Sequence, residues 1–268
     1  MSKTPLAEAE TTNYDQTKNS IYFVEGESFF TRCMVDYFIA RGWNSQFTLV
    51  EANPNIDDVS LAYPNIHCNN YKKVYFSDGK FHRHEANLIV DRAAEEKTVV
   101  ANLPSNTRLK LNLWLDSLGF SSSSDLRDYF NRIVYFFVSD GSYYSIEQFL
   151  KQLDKYPMDR LYQCLVLNLG RFSSIDNFRD LEGHKPLMEA IKTHQVPVLT
   201  FPKLDSNLQF ECEQNNLSYR KLGVGKSINI QQKVTKFSLQ IELLYSEIFP
   251  SVINDPQGLM KIAEAQKD

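Results

Sequence analysis

Three stretches of this chain bring reactive side chains together. Lys221-Leu222-Gly223-Val224-Gly225-Lys226-Ser227 comes close to a phosphate-binding loop. In such a loop backbone N–H groups cradle phosphates, a lysine neutralises their charge and a hydroxyl holds magnesium. A standard loop needs glycine where Arg220 stands and a buried strand where the polar run Asn215 to Tyr219 stands. The stretch therefore reads as a helix entry with Ser227 as N-cap. His82-Arg83-His84-Glu85, with His67-Cys68 upstream, supplies metal-ligand residue types in no standard zinc spacing. His82 and His84 would face one way only on a strand, so the stretch reads as polar surface. Glu25-Gly26-Glu27-Ser28 follows an apolar run and precedes Phe29-Phe30. Ser28 reads there as a helix N-cap, and Arg32 as a surface residue one turn on. The chain has neither a G-x-S-x-G nucleophile elbow nor a G-x-G-x-x-G fingerprint, so serine hydrolysis and dinucleotide chemistry lack support.

The elements that must hold these residues alternate along the chain. Apolar runs at Ile21 to Val24, Gln46 to Val50, Thr98 to Ala101, Ile133 to Val138, Leu161 to Leu167 and Val196 to Phe201 have the length of buried strands. Helical spacing appears between them: Phe30, Met34, Tyr37 and Phe38 before Gly42; Leu111, Trp114, Leu115 and Leu118 before Gly119; Ile146, Phe149, Leu150 and Leu153; Leu187, Met188 and Ile191. The last stripe is the longest, from Ile230 through Val234, Phe237, Ile241 and Leu244 to Ile248, with Pro250 expected beyond its end. Strands of continuous apolar character alternating with helices predict an α/β fold of three layers, a mostly parallel sheet with helices on both faces. Residues 1–19 read as a flexible tail, 20–250 as one α/β domain and 251–268 as a second tail, with Ser121 to Ser124 as a flexible break.

In an open parallel sheet, ligands bind beyond the carboxyl ends of the strands. The segments found there read "IYFVEGES", "TLVEANPNIDDVSLAYP", "TVVANLPSN", "CLVLNLG" and "VPVLTFPKL". In order and placement they resemble the ParA/MinD-type deviant-Walker ATPases, especially the plasmid-mobilisation ATPases, from Ile21 to about Glu247. The resemblance implies a P-loop NTPase-like fold and a nucleotide site at Gly26, Ser28, Asn53, Asp57, Asn102 and Asn168. Measured against that family the site is degenerate. The first turn lacks the glycine-rich loop and its lysine, keeping Ser28 at the magnesium-ligand position, and Glu25 and Glu27 would repel a triphosphate. Asn102 stands where the family places Asp, and Asn53 where an Asp would position the attacking water. Asp57 and Asp58 follow a few residues later as substitutes or as solvated loop. Asn168 resembles the asparagine that reads an adenine edge, and equally suits a turn cap.

These losses imply a catalytically inactive pseudo-ATPase acting through protein contacts, as a homodimer or a heteromer with a homologue, with no cofactor expected. The competing reading is a working ATPase that moves cargo on DNA and uses MgATP. A third is a DNA-binding module independent of nucleotide. It uses Lys226, Lys233 and Lys236, expected to share the polar face of the last helix, with Arg220 and Lys221 just before it, since ParA-like proteins bind DNA nonspecifically through basic residues in their C-terminal part. Tyr143 and Tyr144, after Gly141, are expected at the edge of the site, where tyrosines suit a protein interface.

Composition sets the outer limits. The 268 residues are 43% hydrophobic and 23% charged, which excludes a wholly disordered, collagenous or coiled-coil chain. Lys plus Arg number 29 against 33 Asp plus Glu, leaving room for a basic patch but not for a basic coat. Four widely spaced cysteines, and no secretory signal before Ile21, predict reduced thiols in a cytoplasmic protein. No run has the length of a membrane-spanning helix.

Overall fold

The computed structural model describes residues 19–52, 58–64, 66, 71–74, 76, 83–95, 97–105, 107–120, 130, 132–171 and 181–254. Seven strands form one all-parallel sheet: β1 (Ser20–Glu25), β2 (Phe47–Glu51), β3 (Tyr71–Lys73), β4 (Thr98–Leu103), β5 (Arg132–Ser139), β6 (Tyr162–Asn168) and β7 (Val198–Phe201). Their order is β3-β2-β4-β1-β5-β6-β7. Among the described residues the helices are α1 (Ser28–Ala40), α2 (Arg83–Ala94), α3 (Arg108–Ser117), α4 (Tyr143–Lys155), α5 (Lys185–His194), α6 (Ser206–Gln214) and α7 (Ile228–Asn254).

Strand β1 explains the layering. Its side chains alternate between two cores, Ile21 and Phe23 on one side and Tyr22 and Val24 on the other. The first core is closed by α2, α3, α4 and α5, through residues such as Ile89, Trp114, Phe149 and Leu187. The second is closed by α1, α6 and α7, through Phe30, Leu208 and Phe237. Burial on both faces is why the strands are apolar without a break, and it confirms the three-layer α/β expectation. Aromatic edges knit α1 to α7: Phe29 stacks on Phe237 with ring centres 5.9 Å apart, and Tyr37 stacks on Phe249 at 5.6 Å.

Connectivity fixes where a ligand can enter. The chain leaves β1 toward β2 on one side, and leaves β5 toward β6 on the other. Since β1 and β5 are neighbours, their carboxyl ends form the switch point at which parallel α/β sheets open a crevice. Strand β4 lies between β1 and β2, pairing Val24 with Asn102 and Glu25 with Leu103.

Several details depart from the sequence expectations. Helix α7 continues through Pro250 to Asn254 instead of ending before the proline. Arg83 onward is helix α2, so His84 stands on a helix rather than a strand; His82, His67 and Cys68 lie outside the described residues. So do the tail 1–18, residues 255–268 of the second tail, and the serine break. Cys33, Cys164 and Cys212 are buried free thiols.

Candidate functional site

The turn from β1 into α1 is two residues long, Gly26 and Glu27. Gly26 has φ near +108°, and its N–H donates to the Leu103 carbonyl at 3.4 Å. A Cβ at this position would stand 2.5 Å from the Val138 carbonyl oxygen, so β5 presses against the turn and only glycine fits. The N-cap of α1 is Glu27, not Ser28: Glu27 is extended, and its Oε1 accepts from the Phe29 N–H at 3.4 Å. Its Oε2 accepts from Arg171 Nε at 2.9 Å and from Asn168 Nδ2 at 3.4 Å. The start of a helix favours an anion. Here a carboxylate of the chain itself occupies that place.

Ser28, freed from capping, joins a polar network on the α1 side of the sheet. Its hydroxyl donates to Asp58 Oδ2 at 3.2 Å and accepts from Asn102 Nδ2 at the same distance. Asn102 Nδ2 also donates to Glu51 Oε2 at 3.0 Å, and its Oδ1 accepts from the Thr31 hydroxyl at 2.9 Å. Glu51 is fully buried at the end of β2, and its Oε1 accepts the N–H groups of Val59 and Ser60 at 2.6 and 3.0 Å. Burial pushes the Glu51 carboxyl upward, while the bonds from Asn102 and the Ser60 and Val59 amides pull it down.

Arg32 is buried, contrary to the surface reading. Its guanidinium holds the Asp58 carbonyl (Nε, 2.7 Å, and Nη2), the Cys212 carbonyl at 3.3 Å and Asn216 Oδ1 at 3.4 Å. It ties the segment after β2 to the end of α6.

On the opposite side of the β1 end lies an open cavity of about 400 Å³. Its walls come from the end of β1 and the turn after it, the ends of β5 and β6, Arg171, the segment following β4, and the starts of α3 and α4. Glu25 lines it at only 3% exposure, with Oε2 lacking any hydrogen-bond partner. Its cross-strand neighbours are Leu103 and Phe137, neither of which carries a polar side chain. Burial therefore pushes its carboxyl up to about 8, with Arg108 pulling it down less strongly. Arg108 lines the same cavity and donates to the side chain and carbonyl of Gln148.

Of the residues singled out in the sequence, Gly26, Ser28, Asn102 and Asn168 converge around the β1 turn. Asn53 and Asp57 lie outside the described residues. Asn168 has the turn-cap geometry, its Oδ1 accepting from Gly170 N–H at 2.9 Å. The basic residues near α7 are mostly paired: Arg220 with Glu242, Lys226 with Glu211 at 2.8 Å, and Lys233 with Asp205 at 2.7 Å. Lys221 and Lys236 are exposed. Lys226 lies in the loop before α7, so it does not share that helix's polar face. Tyr143 and Tyr144 stand at the mouth of α4, 71% and 72% exposed, as expected for the edge of the site.

Sequence reasoning missed Glu51, Thr31 and Arg108. The signal for Glu51, and for Glu25 as a buried acid, was a charged residue closing an otherwise apolar strand. Among the described residues no group of three or more His, Cys, Asp or Glu is arranged to hold a metal ion. No described helix is long and apolar enough to cross a membrane. No protein-family model matches the chain, and no curated protein matches it. It is a parallel three-layer α/β protein with a crevice at the switch point of its sheet.

Proposed function

We propose that this chain is a catalytically inactive relative of the ParA/MinD-type ATPases, working through protein contacts rather than nucleotide turnover. One observation carries the reading: the side chains that would meet magnesium and phosphate are already bonded to one another. Ser28, at the metal-ligand position of the resemblance, is engaged by Asp58 and Asn102. Glu27 fills the helix start with a carboxylate held by Arg171, which opposes a phosphate in the same place. A turn of two residues supplies few free N–H groups, and the N–H of Gly26 is already donated to Leu103. Asn102, next to the turn through its pairing with Val24, brings no negative charge for Mg²⁺. The exposed tyrosine pair at the crevice edge is the surface suited to a protein partner, either a second copy or a homologue.

The test is phosphate release from MgATP by the purified chain, together with sedimentation velocity with and without nucleotide. The expected results are release at the buffer rate and an oligomeric state indifferent to MgATP. Turnover that disappears in Ser28→Ala would overturn the proposal.

A further inference from the structure

The cavity on the α3 and α4 side of β1 holds an acid, Glu25, and a base, Arg108, that do not form an ion pair with each other. Glu25 has a buried carboxylate oxygen with no partner, and no described cation forms an ion pair with it. Arg108 spends its guanidinium on the amide and carbonyl oxygens of Gln148, which are neutral acceptors. Both line one cavity of about 400 Å³, which suits a ligand of roughly amino-acid to dipeptide size. Of the other charges around it, Glu27 is paired with Arg171, while Asp140 is exposed to solvent and accepts the Ser142 N–H at 3.0 Å in a turn. The hydroxyls of Ser105, Ser142 and Tyr144 are further donors and acceptors on the wall. A buried unpartnered carboxylate is costly, and a ligand that brings it a cation removes that cost. A ligand cation alone would add a second positive charge beside Arg108, and an anion alone would face Glu25. A molecule carrying both charges complements both residues.

We propose that this cavity binds a small zwitterion of the amino-acid type, with its ammonium on Glu25 and its carboxylate on Arg108. The inference rests on the nucleotide-free reading of the β1 turn, because Gly26 and Glu27 form one wall of the same cavity. Burial holds Glu25 protonated up to about pH 8, and an ammonium binds the ionised form. Affinity therefore rises by about tenfold per pH unit between pH 6 and 7, levels off above 8, and binding near pH 7 releases close to one proton.

The experiment is a thermal-shift screen of the full chain against the common α-amino acids, singly at millimolar concentration, with MgATP as a parallel arm. The best ligand is then titrated calorimetrically. The expected result is that one or more amino acids raise the midpoint. The N-acetyl and methyl-ester derivatives of the best ligand should each bind about tenfold or more weaker. Glu25→Gln and Arg108→Gln should show the same loss. No shift with any amino acid would overturn the inference, as would derivatives that bind as tightly as the parent. If MgATP also gives no shift, the inference alone fails. A shift with MgATP would remove the nucleotide-free reading as well. The ligand derivatives keep the test independent of whether Arg108→Gln folds.

Discussion

Replacing Glu25 with glutamine should stabilise this protein, by an amount that depends on pH. Glutamine keeps the volume of the side chain and removes the carboxylate that burial disfavours. The folded carboxyl is pushed from 4.5 to about 8, so the folded state holds a proton that the unfolded chain has released across that window. Each pH unit within it costs the folded state about 1.4 kcal/mol. At pH 7 the accumulated cost is about 3 kcal/mol, and it stops growing above pH 8. Below pH 4.5 the carboxyl is neutral in both states and resembles the amide, so the two proteins should coincide. For a chain of this size about 3 kcal/mol corresponds to a rise of roughly 6–12 °C in the thermal midpoint. The assay is urea unfolding followed by far-UV circular dichroism from pH 4 to pH 8.5, with the denaturant slope checked for constancy. The gap between Glu25→Gln and wild type should open as pH rises. Parallel curves over the whole range, or a gap that narrows with pH, would refute that expectation.

Further substitutions probe the turn and the network. Asn102→Asp removes two donated hydrogen bonds and sets a second buried carboxylate about 3 Å from Glu51. It should destabilise by about 2–4 kcal/mol, more at pH 8 than at pH 5, in chemical melts at both values. Gly26→Ala places a methyl against the Val138 carbonyl at positive φ, and should cost about 2–4 kcal/mol as a lowered urea midpoint. Arg32→Ala frees three acceptors on two segments and should cost about 2–4 kcal/mol in the same assay. Arg32→Lys should recover little, since a single ammonium does not span acceptors that the guanidinium fork reaches together.

The layering could be read from the sequence because burial on both faces leaves strands such as β1 and β5 apolar without interruption. Helices with broad stripes, α1, α4 and α7, were equally plain. Three elements escaped for physical reasons. Strand β3 is only Tyr71–Lys73 at the sheet edge, half-buried and without an apolar run. Helix α2 opens on Arg83 and His84 and packs through small or widely spaced residues, Ala86, Ile89 and Ala93. Helix α6 buries only Leu208 and Cys212. Ser28 followed the usual preference of a serine for capping, but the extended Glu27 before it accepts the Phe29 N–H and brings a charge to the helix start. Glu51 and Asn102 lie far apart in sequence and meet only because β2 and β4 pair in register. No local pattern in the sequence encodes that meeting.

The most direct test of the proposal that the β1 turn takes no nucleotide is the thermal midpoint of the purified chain with saturating MgATP, MgADP or magnesium alone. A ligand bound only to the folded state at a hundred times its Kd adds about 2.7 kcal/mol, a shift of several degrees. The midpoint should be the same in all conditions. A reproducible rise with MgATP that magnesium alone does not give would contradict the proposal, and would place phosphates on the turn where Glu27 caps the helix.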